Sequence, residues 1–156
     1  MSTISVTPFL WFDDDVAQAI ERYLAIFPEA ELVNENRLPD GNVFLATVRL
    51  QGQELTLLNG GPAHPHTDAF SLAVGVETQE EIDRISEALI DGGGAQGRCG
   101  WLTDSFGLSW QVVPSALGRL MGDPDPEKAG RVGQAMMAMD RLSIQGLQDA
   151  YDGAPS

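Results

Sequence analysis

AFSLAVGVETQEEIDRISEALID, residues 69–91, carries a strand, a cap and a helix in one run. Ala69 to Val76 reads as a strand. Thr78-Gln79-Glu80-Glu81 is a capping box, in which the Thr hydroxyl meets the Glu81 N–H and the Glu81 carboxylate reaches back. Ile82, Ile85, Leu89 and Ile90 then form a helical stripe, and Gly92, Gly93 and Gly94 stop it. The same order stands upstream, offset by roughly 65 residues as a repeat of pattern. Ile4 to Phe12 reads as a strand with an edge or bulge at Pro8. Asp13, Asp14 and Asp15 suit a helix N-terminus, and Val16, Ile20, Tyr23, Leu24 and Phe27 follow at helical spacing up to Pro28.

Each helix is followed by further strands. Glu31 to Arg37 and Val43 to Leu50 flank the turn Pro39-Asp40-Gly41, and Gln51-Gly52 turns into Gln53 to Asn59. In the second half the strand candidates are Gln96 to Asp104 and Leu108 to Val113, around Ser105-Phe106-Gly107. Only two helices interrupt the strands, and tight turns permit antiparallel pairing but not parallel pairing. GGPAHPHTD, residues 60–68, is the linker. The expected class is therefore α+β, with one module over residues 4–60, a second over 69–113 and a helical tail over 114–152. In that tail Ala129, Val132, Ala135, Met136 and Met139 share a helical face, and Ser143 caps a last helix through Tyr151. Such a tail either packs on its own sheet or covers a partner subunit.

The chain has 156 residues, enough for a substantial core. Its net charge of −14, with nine Lys and Arg, argues against nucleic acid and against an acidic membrane surface. The single cysteine, Cys99, cannot form an internal disulfide. The opening MSTISVTPFLWF lacks the basic n-region of a signal peptide, and no apolar run is long enough for a membrane span, so the expected compartment is the cytoplasm.

TPFLWFDDDVAQAIERYLAIFP, LTLLNGGP, CGWLTDSFGLSWQVVP and the tail DPDPEKAGRVGQAMMAM resemble, in order, the PhnB-like branch of the glyoxalase/bleomycin-resistance/dioxygenase superfamily. These are also called vicinal oxygen chelate proteins, and members of the branch often carry the label 3-demethylubiquinone-9 3-methyltransferase. The resemblance implies two βαβββ modules with cupped mixed sheets, pairing within a chain or across a dimer around a cleft for a small molecule, and a homodimer is the expected assembly. The methyltransferase label finds no support in the residues, because no Gly-rich loop joins a strand to a helix.

Metal-using relatives place His or Glu on the first and last strands of each module. The corresponding positions here fall near Thr7 or Pro8, at Ser71 and at Gln111, with Glu54 or Asn59 as the fourth. Glu54 and Asn59 are an odd number apart and face opposite sides of a strand. Neutral amide and hydroxyl oxygens are weak ligands beside carboxylate or imidazole. No metal and no cofactor is therefore expected. His64 and His66 flank Pro65 in the linker and read as a solvated loop. No nucleophile–base pair or carboxylate pair is defensible.

Strand alternation puts Ser109, Gln111 and Val113 on one face and Leu108, Trp110 and Val112 on the other. The resemblance turns Gln111 to the cleft and Trp110 to the helix. Leu55, Leu57 and Asn59 share a face, and Asn59 is read equally as a cleft-rim residue or as an Asn-Gly turn residue. Trp11 and Trp101 are cleft-wall candidates, although core is the commoner place for one tryptophan. Cys99 is a candidate thiol whose commoner reading is a small buried hydrophobe, since Arg98 beside it in a strand faces the other way. The candidate ligand-binding set is thus Trp11, Asn59, Ser71, Cys99, Trp101, Ser109 and Gln111. The expected function is small-molecule binding without a tightly held metal. The alternatives are a metal-dependent lyase, isomerase or dioxygenase, and a drug-sequestering resistance protein.

Overall fold

Alternating burial along the strands builds two sheets of identical topology. The structure, a computed structural model, describes residues 2–154. The chain divides into two compact units between His66 and Thr67, inside the Gly- and Pro-rich stretch. In the first unit β1 (Phe9–Phe12), α1 (Val16–Ile26), β2 (Ala30–Arg37), β3 (Val43–Leu50) and β4 (Gln53–Asn59) form a sheet of order β1-β4-β3-β2. In the second, β5 (Ser71–Val76), α2 (Gln79–Ile90), β6 (Ala95–Gln96), β7 (Trp101–Thr103) and β8 (Ser109–Pro114) follow the same order, β5-β8-β7-β6. In each, the first strand pairs parallel with the last and the other pairs are antiparallel. The helix supplies the crossover that a parallel pair needs.

β1 begins only at Phe9, after Pro8, because proline has no N–H for the ladder. β3 and β4 close through Gln51 and Gly52 at φ 49° and 87°, the doubly positive geometry that matches hairpin twist. Leu10, Phe12, Ala46, Val48, Leu50, Leu55 and Leu57 bury one face of this sheet with Val16, Ala19, Ile20 and Tyr23 of α1. In the second unit Val76, Leu102, Trp110 and Val112 form the buried face with Ile82, Ile85 and Leu89 of α2. Trp110 therefore sits on the helix side, as alternation requires.

The stretch expected as one strand over Gln96 to Asp104 is broken. Gly97 to Gly100 form a loop in which Cys99 has φ 57° and Gly100 φ 84°, left-handed values that no strand contains. Beyond β8 the sequence reading expects a helical tail from residue 114 without naming its first helix, and Ser115–Met121 form that helix, α3, burying Ala116, Leu117 and Leu120. α4 (Pro126–Met137) and α5 (Ile144–Asp152) pack with α3 around Leu117, Leu120, Val132, Leu142 and Leu147, with Val113 of β8 against that cluster. The tail thus packs on its own unit, and its apolar stripe gives no argument for a dimer. Among the described residues no helix is long and apolar enough to cross a membrane.

α2 has the capping box in full: Thr78 Oγ1 accepts from the Glu81 N–H at 3.1 Å, and Glu81 Oε1 accepts from the Thr78 N–H at 3.1 Å. The Glu77 N–H, then the Thr78 hydroxyl, hold the Glu81 carboxyl below its ordinary 4.5. A depressed carboxyl contributes stability that is full above its unfolded pKa and lost as pH falls through the folded one. Denaturant-measured stability should therefore drop between about pH 5 and pH 3 more steeply in the wild type than in Glu81→Gln, which has no charge there to lose. Equal acid limbs in the two proteins would contradict the coupling.

Candidate functional site

The second sheet presents a face that its own helix does not cover. Register places Ser71, Ser109 and Thr103 in one row across β5, β8 and β7, and Ala73, Gln111 and Trp101 in the next. Gly75 and Val113 begin a third row. The β5 side chains on this face, Ser, Ala and Gly, leave a low floor, and a Cβ added at Gly75 would meet nothing within 4 Å. Packing within the unit therefore does not demand that glycine. On this face, beside the Gly97–Gly100 loop, lies a hollow of about 400 Å³, lined by Asp68, Arg98, Cys99, Trp101, Thr103 and Ser109 among others.

One buried carboxylate fixes this face. Asp104, 2% exposed, follows β7 directly and accepts from the Phe106 N–H (2.9 Å) and the Leu108 N–H (3.0 Å) through Oδ1, and from Trp110 Nε1 (2.9 Å) through Oδ2. Its backbone N–H donates to Leu108 O at 2.8 Å. The turn and the tryptophan on the helix side are thereby locked together, which sets Trp101 opposite Gln111.

The open face differs in how its polar groups are engaged. Trp11 donates its indole N–H to Gly61 O at 2.8 Å and Trp110 donates to Asp104, whereas the Trp101 N–H has no protein acceptor among the described residues. Ser109 is 3% exposed, lines the hollow, and its hydroxyl has no protein partner among the described residues. Gln111 donates from Nε2 to Ser71 Oγ at 3.0 Å, leaving Oε1 open. Either way round, the amide keeps one polar atom for a further partner.

Of the sequence candidates, Ser71, Cys99, Trp101, Ser109 and Gln111 come together in this unit. Trp11 and Asn59 belong to the first unit. Trp11 lies on the uncovered face there, with its ring so close over Gly60 that an added Cβ would come within 2.3 Å, and with His64 edge-on at 4.7 Å. The indole tip is bound to backbone rather than open. Asn59 is not at a cleft rim. It shares the helix-covered face with Leu57, where its Oδ1 accepts from the Val16 N–H (3.1 Å) and its Nδ2 donates to Val43 O (2.8 Å). It caps α1 in place of the aspartates, since Asp15 stands at the N-cap without a side-chain cap bond. His66 is half-buried, with its ring 5.3 Å from Phe12, so the linker folds back on β1 instead of standing in solvent.

The alternation argument that separated Cys99 from Arg98 does not apply, because Cys99 is in a left-handed turn. That conformation costs a non-glycine residue about 1–2 kcal/mol. Thr103 and Asp68 were missed as wall residues. Thr103 was within reach of a period-two count from Trp101, whereas Asp68 lies before β5 and no periodicity points to it.

The resemblance implies four positions for metal ligands. Ser71 and Gln111 are bonded to each other, Glu54 is paired with Arg49 at 3.1 Å, Asn59 is a helix cap, and Thr7 and Pro8 precede β1. Within each unit, no three His, Cys, Asp or Glu among the described residues form a group able to hold a metal ion. A hydroxyl and a neutral amide do not fit a resident divalent cation.

The model of the 3-demethylubiquinone-9 3-methyltransferase family matches residues 4–113. A PhnB protein from Bacillus cereus, described as a 3-demethylubiquinone-9 3-methyltransferase, is 32% identical over 72% of this chain and 100% of its own, with a TM-score of 0.66. A protein from Pseudomonas aeruginosa is 20% identical over 72% of this chain and 98% of its own, with a TM-score of 0.57. The fosfomycin resistance protein FosX from Listeria monocytogenes, in complex with Mn(II) and sulfate, is 16% identical over 72% and 92%, with a TM-score of 0.54. The last two show likeness of fold alone. No curated protein matches.

Asp104→Ala should destabilise the protein by about 3 kcal/mol, since it leaves the buried Trp110 and Leu108 N–H groups without acceptors, and Asp104→Asn should cost less. Asn59→Ala should cost about 2 kcal/mol by removing the α1 cap and the Val43 contact together. Urea denaturation checks both, and a loss below about 0.5 kcal/mol in either would contradict the assigned role.

Proposed function

The chain belongs to the 3-demethylubiquinone-9 3-methyltransferase family, PhnB-like members of the vicinal oxygen chelate superfamily, and from that premise we propose that it binds a neutral small molecule on the open face of its second sheet, without a resident metal. The observation that carries the reading is the unengaged trio on one face: the Trp101 indole N–H, the Ser109 hydroxyl and one polar atom of the Gln111 amide. Among the described residues none of these three atoms is sealed from solvent, so each is open to a hydrogen bond with a ligand on this face. The trio offers both donors and acceptors and carries no charge, so it suits carbonyl, hydroxyl or amide groups on a flat apolar frame resting against Trp101.

The side chains favour binding over acid–base chemistry. No imidazole stands on this face. The Asp68 carboxylate and the Arg98 guanidinium lie at the wall, and Arg98 donates to Met137 O at 3.3 Å. The family's methyltransferase description is not adopted. Both strand-to-helix turns carry carboxylates, Asp13 to Asp15 and Glu77, where a nucleotide-type donor is usually met by glycines.

Phenol and benzamide, each one flat ring with one polar group, are suitable probes. In ¹H–¹⁵N spectra they should shift the Trp101 indole and Gln111 amide signals together. Trp101→Phe and Ser109→Val should each weaken binding by about tenfold, the equivalent of one hydrogen bond. Shifts confined to Trp11, or none at Trp101, would refute the reading.

A further inference from the structure

The hollow's most unusual wall is not held by its own sheet. Cys99 has the left-handed φ of 57°, and the residues that secure it lie 40 positions away, in the connector between α4 and α5. The Cys99 N–H donates to Met139 O at 2.9 Å and the Gly100 N–H to Asp140 O at 2.8 Å. Arg98 Nη1 reaches Met137 O at 3.3 Å. Leu142, fully buried, presses on Gly100 so closely that a Cβ there would come within 3.0 Å of its Cδ1 and 2.9 Å of Val112 O.

The connector is fastened in turn to α2, which packs on the other face of the sheet. Gln79 grips it from both sides of Ser143: its Nε2 donates to Leu142 O at 3.1 Å, and its Oε1 accepts from the Ile144 N–H at 2.9 Å. Arg141 bonds Glu87 at 3.1 Å and reaches Asp83 at 3.6 Å and Gln96 Oε1 at 3.5 Å. The family match ends at residue 113, so the connector lies wholly outside the part that matches.

We infer that residues 139–142 are a wall-setting device of the hollow, with Gln79 and Leu142 as positioning residues that act through Cys99 and Gly100. This rests on the reading of the hollow as the ligand site. Cys99 lines the hollow from a left-handed turn, and a non-glycine residue holds that conformation only when its surroundings determine it. Here they do so through two backbone hydrogen bonds and one leucine. The helical tail thereby sets which ligand shapes fit beside Trp101.

Cys99 is the only cysteine, so its reaction with N-ethylmaleimide reports on this wall alone. In full-length Gln79→Ala the labelling rate should rise about tenfold, with faster amide hydrogen exchange at Cys99 and Gly100, while Ile85 in the middle of α2 stays protected. The affinity for phenol should fall in the same variant. Arg141→Ala, a surface substitution with a smaller structural effect, should move labelling and exchange in the same direction and keeps the test open if Gln79→Ala does not fold. Unchanged labelling and exchange in either folded variant overturn the inference, whether or not phenol binds. Faster labelling with no phenol binding to the wild type overturns the ligand reading and leaves the wall-setting role standing.

Discussion

The Asp104 carboxylate is the constraint from which the second unit's surface chemistry follows. It joins three donors, and two of them, the Leu108 N–H and the Trp110 indole, are buried. Those contacts fix where β7 turns into β8. In a sheet whose side chains alternate, a slip of one residue would exchange the two faces completely. Trp110 would leave the α2 interface, and Trp101 and Gln111 would no longer share a row. The slip would expose a large aromatic and strand a carboxylate in the core, and each of these costs about 2–3 kcal/mol or more. The open face is thus determined by a residue that is not on it.

The two units solve the same topological problem with different chemistry. Each carries its chain from the first strand through a helix to an antiparallel meander whose last strand returns beside the first. α2 starts with a cap written in four consecutive residues, whereas α1 starts under Asn59, 43 positions from the N–H that it accepts. A local cap forms without the sheet. The Asn59 cap exists only once β4 lies beside β1, so it ties helix formation to strand pairing. The same pairing brings Gly60 and Gly61 under the Trp11 indole.

That difference between local and distant partners explains what the sequence makes legible. The helices of both modules, the capping box, β3, β4 and the split of Ser109 and Gln111 from Trp110 rest on periodicity or on neighbours in the chain, and they read directly. Asn59 is ambiguous because Asn-Gly is a turn signal whatever its side chain reaches. QGRCGWLTD reads as a strand because its composition suits one, and the break at Cys99 depends on Met139 and Asp140, which no local window contains. The tail's apolar stripe is plain in the sequence, but not what it meets. That required Val113, Gly100 and Gln79 to be brought beside it.

The chemistry of the open face sets how a ligand there would gain its affinity. Neutral hydrogen bonds contribute about 0.5–1.5 kcal/mol each, so Trp101, Ser109 and Gln111 together discriminate orientation more than they provide strength. The larger share has to come from apolar contact, at about 25 cal/mol per Å² removed from water. A well-shaped hollow therefore matters more than its polar groups, and shape is what the loop at Cys99 contributes. A strongly anionic ligand would approach a chain of net charge −14 and find Arg98 already donating to a backbone carbonyl. A cation would gain the field but meet a single carboxylate, Asp68, among the residues that line the hollow. Such a surface selects by fit between an aromatic wall at Trp101 and the loop at Cys99, and that loop is fastened to residues outside the part of the chain that matches the family.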